Sequence, residues 1–133
     1  MTQTHWAATW IGQPYDPAVN HCWAFARAVW HGHFGWDVEA LDVDALDPRQ
    51  LRRDFVGHPE FGHWRVVEGG VQGAVEGDAV IMARGKRPCH IGIWIAPATV
   101  LHAVEGTGSI ATPAGRLGDL GYRIHGIYRR ATA

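Results

Sequence analysis

The chain has 133 residues, with 12 Lys and Arg against 13 Asp and Glu and a formal charge of -1. That length suits one domain with a single core, and the absence of a basic block interleaved with aromatics argues against a nucleic-acid partner. Two cysteines, Cys22 and Cys89, give neither a disulfide framework nor a CxxC pair for structural zinc, so burial must hold the fold. No stretch approaches the roughly 20 apolar residues of a membrane span, and the N-terminus "MTQTHWAATWIGQPY" lacks the regions of a signal peptide.

In chain order, the first predicted element is a helix within residues 17–31. Its apolar positions Cys22, Phe25, Ala26 and Val29 recur at three- and four-residue steps, which describes one helical face. Asp16 followed by Pro17, or Asn20 alone, can cap its start, and either choice leaves Cys22 near the N-terminal end. Gly32 and Gly35 bracket its stop. A second helix is expected in "LDVDALDPRQLRRDFVGH", capped by Asp47 with Pro48 behind it and ended by Gly57.

After Trp64 the texture changes. "WRVVE", "DAVIMA", "CHIGIWI", "VLHAV" and "YRIHGIY" are short, rich in branched and aromatic residues, and separated by Gly or Pro. They read as strands of one antiparallel sheet. Helices first and strands later, with no linker or repeat, make residues 1–133 a single α+β domain with N-terminal helices packed on the sheet.

The chemistry-bearing candidates follow from this layout. A thiol at a helix N-terminus gains from the partial positive charge there, and an imidazole delivered from elsewhere completes a nucleophile–base pair. Strand alternation puts His90 on one face with Gly92 and Trp94, while Cys89, Ile91, Ile93 and Ile95 take the other, core-like face. If Trp94 opposes Val100 in the next strand, His102 lies opposite Gly92 and diagonal to His90. His102 then holds one nitrogen of the His90 ring while the other serves Cys22.

These residues resemble the NlpC/p-sixty family of cell-wall cysteine peptidases, in its phage- or prophage-associated branch. "WIGQPY" is similar to the family's lead-in and "HCWAFARAVWHGHFG" to its nucleophile helix. "EGDAVIMARGKRPCHIGIWI" resembles its Gly-Asp turn and histidine strand, and "VLHAVEGTG" and "GIYRR" its third-residue strand and terminal Tyr-Arg. The resemblance implies a papain-like fold, with Cys22 as nucleophile, His90 as general base and His102 as orienting residue. It implies hydrolysis of amide bonds in peptidoglycan stem peptides next to D-glutamate and diaminopimelate. It calls for no metal or organic cofactor. It also implies delivery to the cell wall by a virion or another export device, with phage tail proteins as candidate partners. Tyr15 of the lead-in, with Trp23 and Trp94 beside the proposed chemistry, are the candidate substrate-binding residues. His21 stands where the family has aspartate, and Ala24 where it has glycine.

Each candidate has a plainer reading. Free cysteines are commonly buried packing material, and Cys89 is expected to be an inert core thiol on the isoleucine side. Asp78 is a turn former before its strand, and the histidines outside the pair are mostly exposed. A zinc site built from Cys22, Cys89, His90 and His102 is disfavoured because adjacent strand residues point apart. Besides the endopeptidase, two alternatives remain: an amidase effector with the same Cys and His chemistry, and a catalytically silent tail-assembly or wall-binding module. Substrate preference is assigned to loops such as Gly57 to Gly77 and Gly106 to Gly121.

Overall fold

The computed structural model describes residues 5–18, 20–39 and 63–131. Among the described residues, one α-helix, α1 (Cys22–Phe34), is followed by six strands: β1 (Trp64–Val66), β2 (Ala79–Arg84), β3 (Arg87–Ile95), β4 (Thr99–Val104), β5 (Gly108–Pro113) and β6 (Arg123–Arg130). All neighbouring strands run antiparallel, in the spatial order β1-β6-β2-β3-β4-β5. The α+β class is therefore as the sequence predicts. The second helix, expected from Asp47 to Gly57, lies outside the described residues. Among the described residues no helix is long and apolar enough to cross a membrane.

The start of α1 corrects the expected cap. Neither Asp16 nor Asn20 caps it; His21 does, in extended conformation, with its side chain accepting the Ala24 N–H. Cys22 is thus the first helical residue, where backbone N–H groups lack intrahelical partners. The helix also runs through Gly32, one of the two glycines expected at its stop. A Cβ there would lie 2.7 Å from the Trp10 ring, so this glycine serves close packing of the indole on the helix. Termination falls to Gly35, whose φ of 72° suits a glycine after the last turn.

The sheet has two covered faces. Register pairs Ala79 with Ile93, Ile81 with Ile91 and Ile93 with Leu101, so these side chains share the face that α1 covers with Phe25, Ala26 and Val29. Alternate positions Val80, Met82, Trp94 and Val100 face a second cluster with Leu117, Tyr122 and Ile127. Leu117 belongs to a 3-10 segment, Ala114–Leu120, that follows β5.

β5 corrects the reading of Gly106 to Gly121 as a loop. "GSIATP" offers one large apolar residue between Gly and Pro, which reads as turn chemistry. Its order comes from non-local pairing: β4 lies along it from Thr99↔Pro113 to Val104↔Gly108, and the N-terminal segment meets its outer side. Gly12 donates to the Ser109 carbonyl, Ser109 N–H donates to the Gln13 carbonyl, and the Ser109 hydroxyl donates to the Trp10 carbonyl.

Two sequence motifs meet at the other end of β2. Asp78 accepts the Val75 N–H, as a turn former should, and also pairs through both carboxylate oxygens with Nε and Nη2 of Arg129 from the closing Tyr-Arg motif. Arg129 Nη2 additionally donates to the Gly73 carbonyl. The Gly-Asp turn and the terminal strand are one clamp.

Gly92 lies on β3 two residues after His90, packed against β4 at Val100, Leu101 and His102. A Cβ at this position would sit 2.5 Å from Val100 Cγ1, 3.0 Å from the Leu101 carbonyl oxygen and 3.1 Å from His102 Cβ. Gly92→Ala is expected to destabilise the fold by about 1 to 3 kcal/mol through overpacking. Urea denaturation checks this. An unchanged midpoint would mean that the two strands separate freely at this point.

Candidate functional site

His90 and His102 come together as their strand register requires. Trp94 pairs with Val100, and His90 Nε2 lies 2.8 Å from His102 Nδ1. His102 Nε2 in turn lies 2.9 Å from the Thr112 hydroxyl on β5. The His90 ring also stacks on Tyr122, with centroids 4.6 Å apart and planes 9° from parallel. The Arg84 guanidinium lies over the Tyr122 ring, 4.4 Å from its centroid, and it donates to the Leu120 carbonyl. Both imidazoles and Thr112 are buried.

Cys22 enters from the helix. The backbone N–H groups of Ile91, Trp23 and Cys22 itself favour its thiolate. Ile91 directly follows His90, and this stretch of β3 lies beyond the β3–β4 ladder, which ends at Ile93↔Leu101. The nucleophile candidate and the base candidate are therefore linked through one peptide unit. Among the described residues no hydrogen bond joins the sulfur to either imidazole, and Nδ1 of His90 takes part in none. The sequence reading put the ring itself at the sulfur; the structure brings the adjoining backbone there, with His90 on the Met82 and Tyr122 side of the sheet.

The electrostatics also differ from the expectation of a stabilised thiolate. Burial pushes the Cys22 thiol up to about 11, outweighing the three N–H groups that favour the anion. Cys22 is 3% exposed, so desolvation wins over the helix terminus. Burial also holds His90 well below its ordinary value, with smaller contributions from His102 and Arg84, and lowers His102 to about 4. At neutral pH the resting site is a neutral thiol beside two neutral imidazoles.

The remaining candidates divide. Tyr15 is half-buried against the α1-side cluster that contains Cys22. Trp23 and Trp94, the other candidate substrate-binding residues, are 1% and 3% exposed. Trp23 donates to the Glu39 carbonyl and meets Trp30 edge to face, while Trp94 belongs to the opposite cluster. Large aromatics near a site supply core area first.

Cys89 is also misplaced by simple alternation. Met82 pairs with His90 but Ala83 pairs with Pro88, so Cys89 is the extra residue of a β-bulge. It packs, partly exposed, on the Tyr122 cluster instead of the isoleucine face. His5, His31, His33, His63 and His125 are exposed as expected, whereas His21 is buried as the helix cap.

Thr112 was not among the candidates, because its role depends on β5, which looks like a loop in sequence. The available signal was a hydroxyl two residues from a possible cross-strand partner of His102, which pairs with Ile110. Among the described residues no three His, Cys, Asp or Glu side chains gather as metal ligands. Searches against protein-family models and curated proteins found no match to the chain.

Proposed function

We propose that the chain is an NlpC-type cysteine hydrolase of papain-like architecture. It cuts amide bonds in peptidoglycan stem peptides, next to D-glutamate and diaminopimelate, in a phage-tail or prophage setting. The observation that carries this reading is the 2.8 Å contact of His90 Nε2 with His102 Nδ1, with Cys22 as first residue of α1 and the N–H of Ile91, next to His90, favouring its thiolate. The five motifs in family order are its support from sequence.

In the proposed reaction, once sulfur and ring close the gap that the resting structure leaves between them, the Cys22 proton passes to His90 Nδ1 as the sulfur attacks the amide carbonyl carbon. General-base transfer during attack suits a site whose resting thiol and imidazole are both uncharged. N–H groups at the start of α1 stabilise the oxyanion. The imidazolium then protonates the leaving amine, and water, deprotonated by the same nitrogen, releases the acyl group and restores the thiol. The Nε2 contact to His102 keeps the ring oriented through both half-reactions.

Burial of Cys22 and the height of its thiol proton affinity favour a second reading, a silent tail-assembly or wall-binding module. Digestion of purified sacculi separates the two. Wild-type protein is expected to release stem-peptide fragments, identified by mass spectrometry, and Cys22→Ala to release none. Identical fragments from both would remove the nucleophile. A folded wild type that releases nothing but sediments with sacculi would establish the binding module.

A further inference from the structure

We propose that Thr112 is a positioning residue that sets the tautomers of His102 and His90, leaving Nδ1 of His90 as the proton-accepting nitrogen; its catalytic consequence rests on the hydrolase reading above. Three buried side chains on three neighbouring strands form one line. His90 Nε2 is 2.8 Å from His102 Nδ1, and His102 Nε2 is 2.9 Å from Thr112 Oγ1. Each neutral imidazole carries one N–H, so the direction of the whole line is decided at its end.

Two arrangements are possible. If Thr112 donates its O–H to His102 Nε2, then His102 donates from Nδ1 to His90 Nε2, and the His90 proton sits on Nδ1. That nitrogen cannot accept a proton from a thiol, and among the described residues it has no hydrogen-bond acceptor. If Thr112 accepts instead, His102 carries its proton on Nε2 and receives the His90 Nε2–H at Nδ1. His90 Nδ1 is then a bare lone pair.

The second arrangement is the less costly one. A buried N–H without an acceptor is rarer in folded proteins than an acceptor left unsatisfied. Thr112 makes no second side-chain hydrogen bond among the described residues, and its hydroxyl, unlike a ring N–H, can rotate, so its oxygen is free to accept from His102. The pairing Val100↔Thr112, with His102↔Ile110 beside it, holds the hydroxyl on the same face as the ring.

The test has a spectroscopic arm and a kinetic arm. Heteronuclear NMR of the imidazole nitrogens in the wild type at pH 7.5 should show both His90 and His102 protonated at Nε2. Thr112→Val should shift His102 toward the Nδ1–H form, and Thr112→Ser should keep the wild-type pattern. On stem peptides, Thr112→Val should lower kcat on the order of tenfold to a hundredfold with KM unchanged, the size of effect seen when an orienting hydrogen bond is lost. Thr112→Ser should restore it. A wild-type His102 protonated at Nδ1, or a folded Thr112→Val with full kcat, would overturn the proposal. A wild type without turnover would overturn the hydrolase reading alone, leaving the tautomer assignment to the spectra.

Discussion

Arg129→Ala is expected to cost about 3 to 5 kcal/mol, a large part of the stability of a small domain. The Asp78 side chain is 2% exposed and Arg129 30%. Removing the guanidinium strands a carboxylate in the interior, with only the Val75 N–H left to satisfy it among the bonds described. Asp78→Ala should cost less, because the freed Arg129 can reach water and keeps its bond to the Gly73 carbonyl. The double variant should be less unstable than the sum of the singles, since the second change removes the group that the first left unpaired. Urea midpoints of the four proteins measure all three differences. Equal costs for the two single variants would mean that the carboxylate is hydrated in the fold.

Acidification below about pH 6.5 should weaken the protein through its buried histidines. His21, His90 and His102 all have lowered proton affinity in the fold, mainly from burial. In the unfolded chain each binds a proton near its ordinary value of 6.5, whereas folded His102 does so only at about 4. Between these pH values the unfolded state holds more protons, so stability falls as pH falls through that window. His102 alone accounts for roughly 3 kcal/mol, at about 1.4 kcal/mol per pH unit. His90 and His21 act in the same direction. Urea denaturation at pH 7.5, 6.0, 5.0 and 4.5 should show the decline, and His102→Gln should show a shallower one. A flat profile would mean that the imidazoles already carry protons in the fold.

What the sequence made legible was set by local pattern. The apolar spacing from Cys22 to Val29 gave α1, and branched, alternating runs gave five of the strands. The register that puts the two histidines on one face could only be stated as a condition, Trp94 opposite Val100, because local pattern does not choose between registers. The parts that escaped depend on partners distant in the chain. β5 has almost no signal of its own, and with it went Thr112. The bulge at Cys89 is invisible to strict alternation. The His21 cap is atypical chemistry for a position that usually takes Ser, Thr, Asp or Asn. The thiol's proton affinity reflects a contest between burial and backbone dipoles, and only depth in the fold decides it.

The bonds from residues Trp10 to Gln13 onto Ser109 have a consequence for behaviour in solution. β5 is an outermost strand, and a bare rim of amide and carbonyl groups there would recruit strands from other molecules. The lead-in segment occupies those groups around Ser109, and the opposite rim is kept to the three residues of β1. The molecule thus carries its own guard against stacking into fibrils.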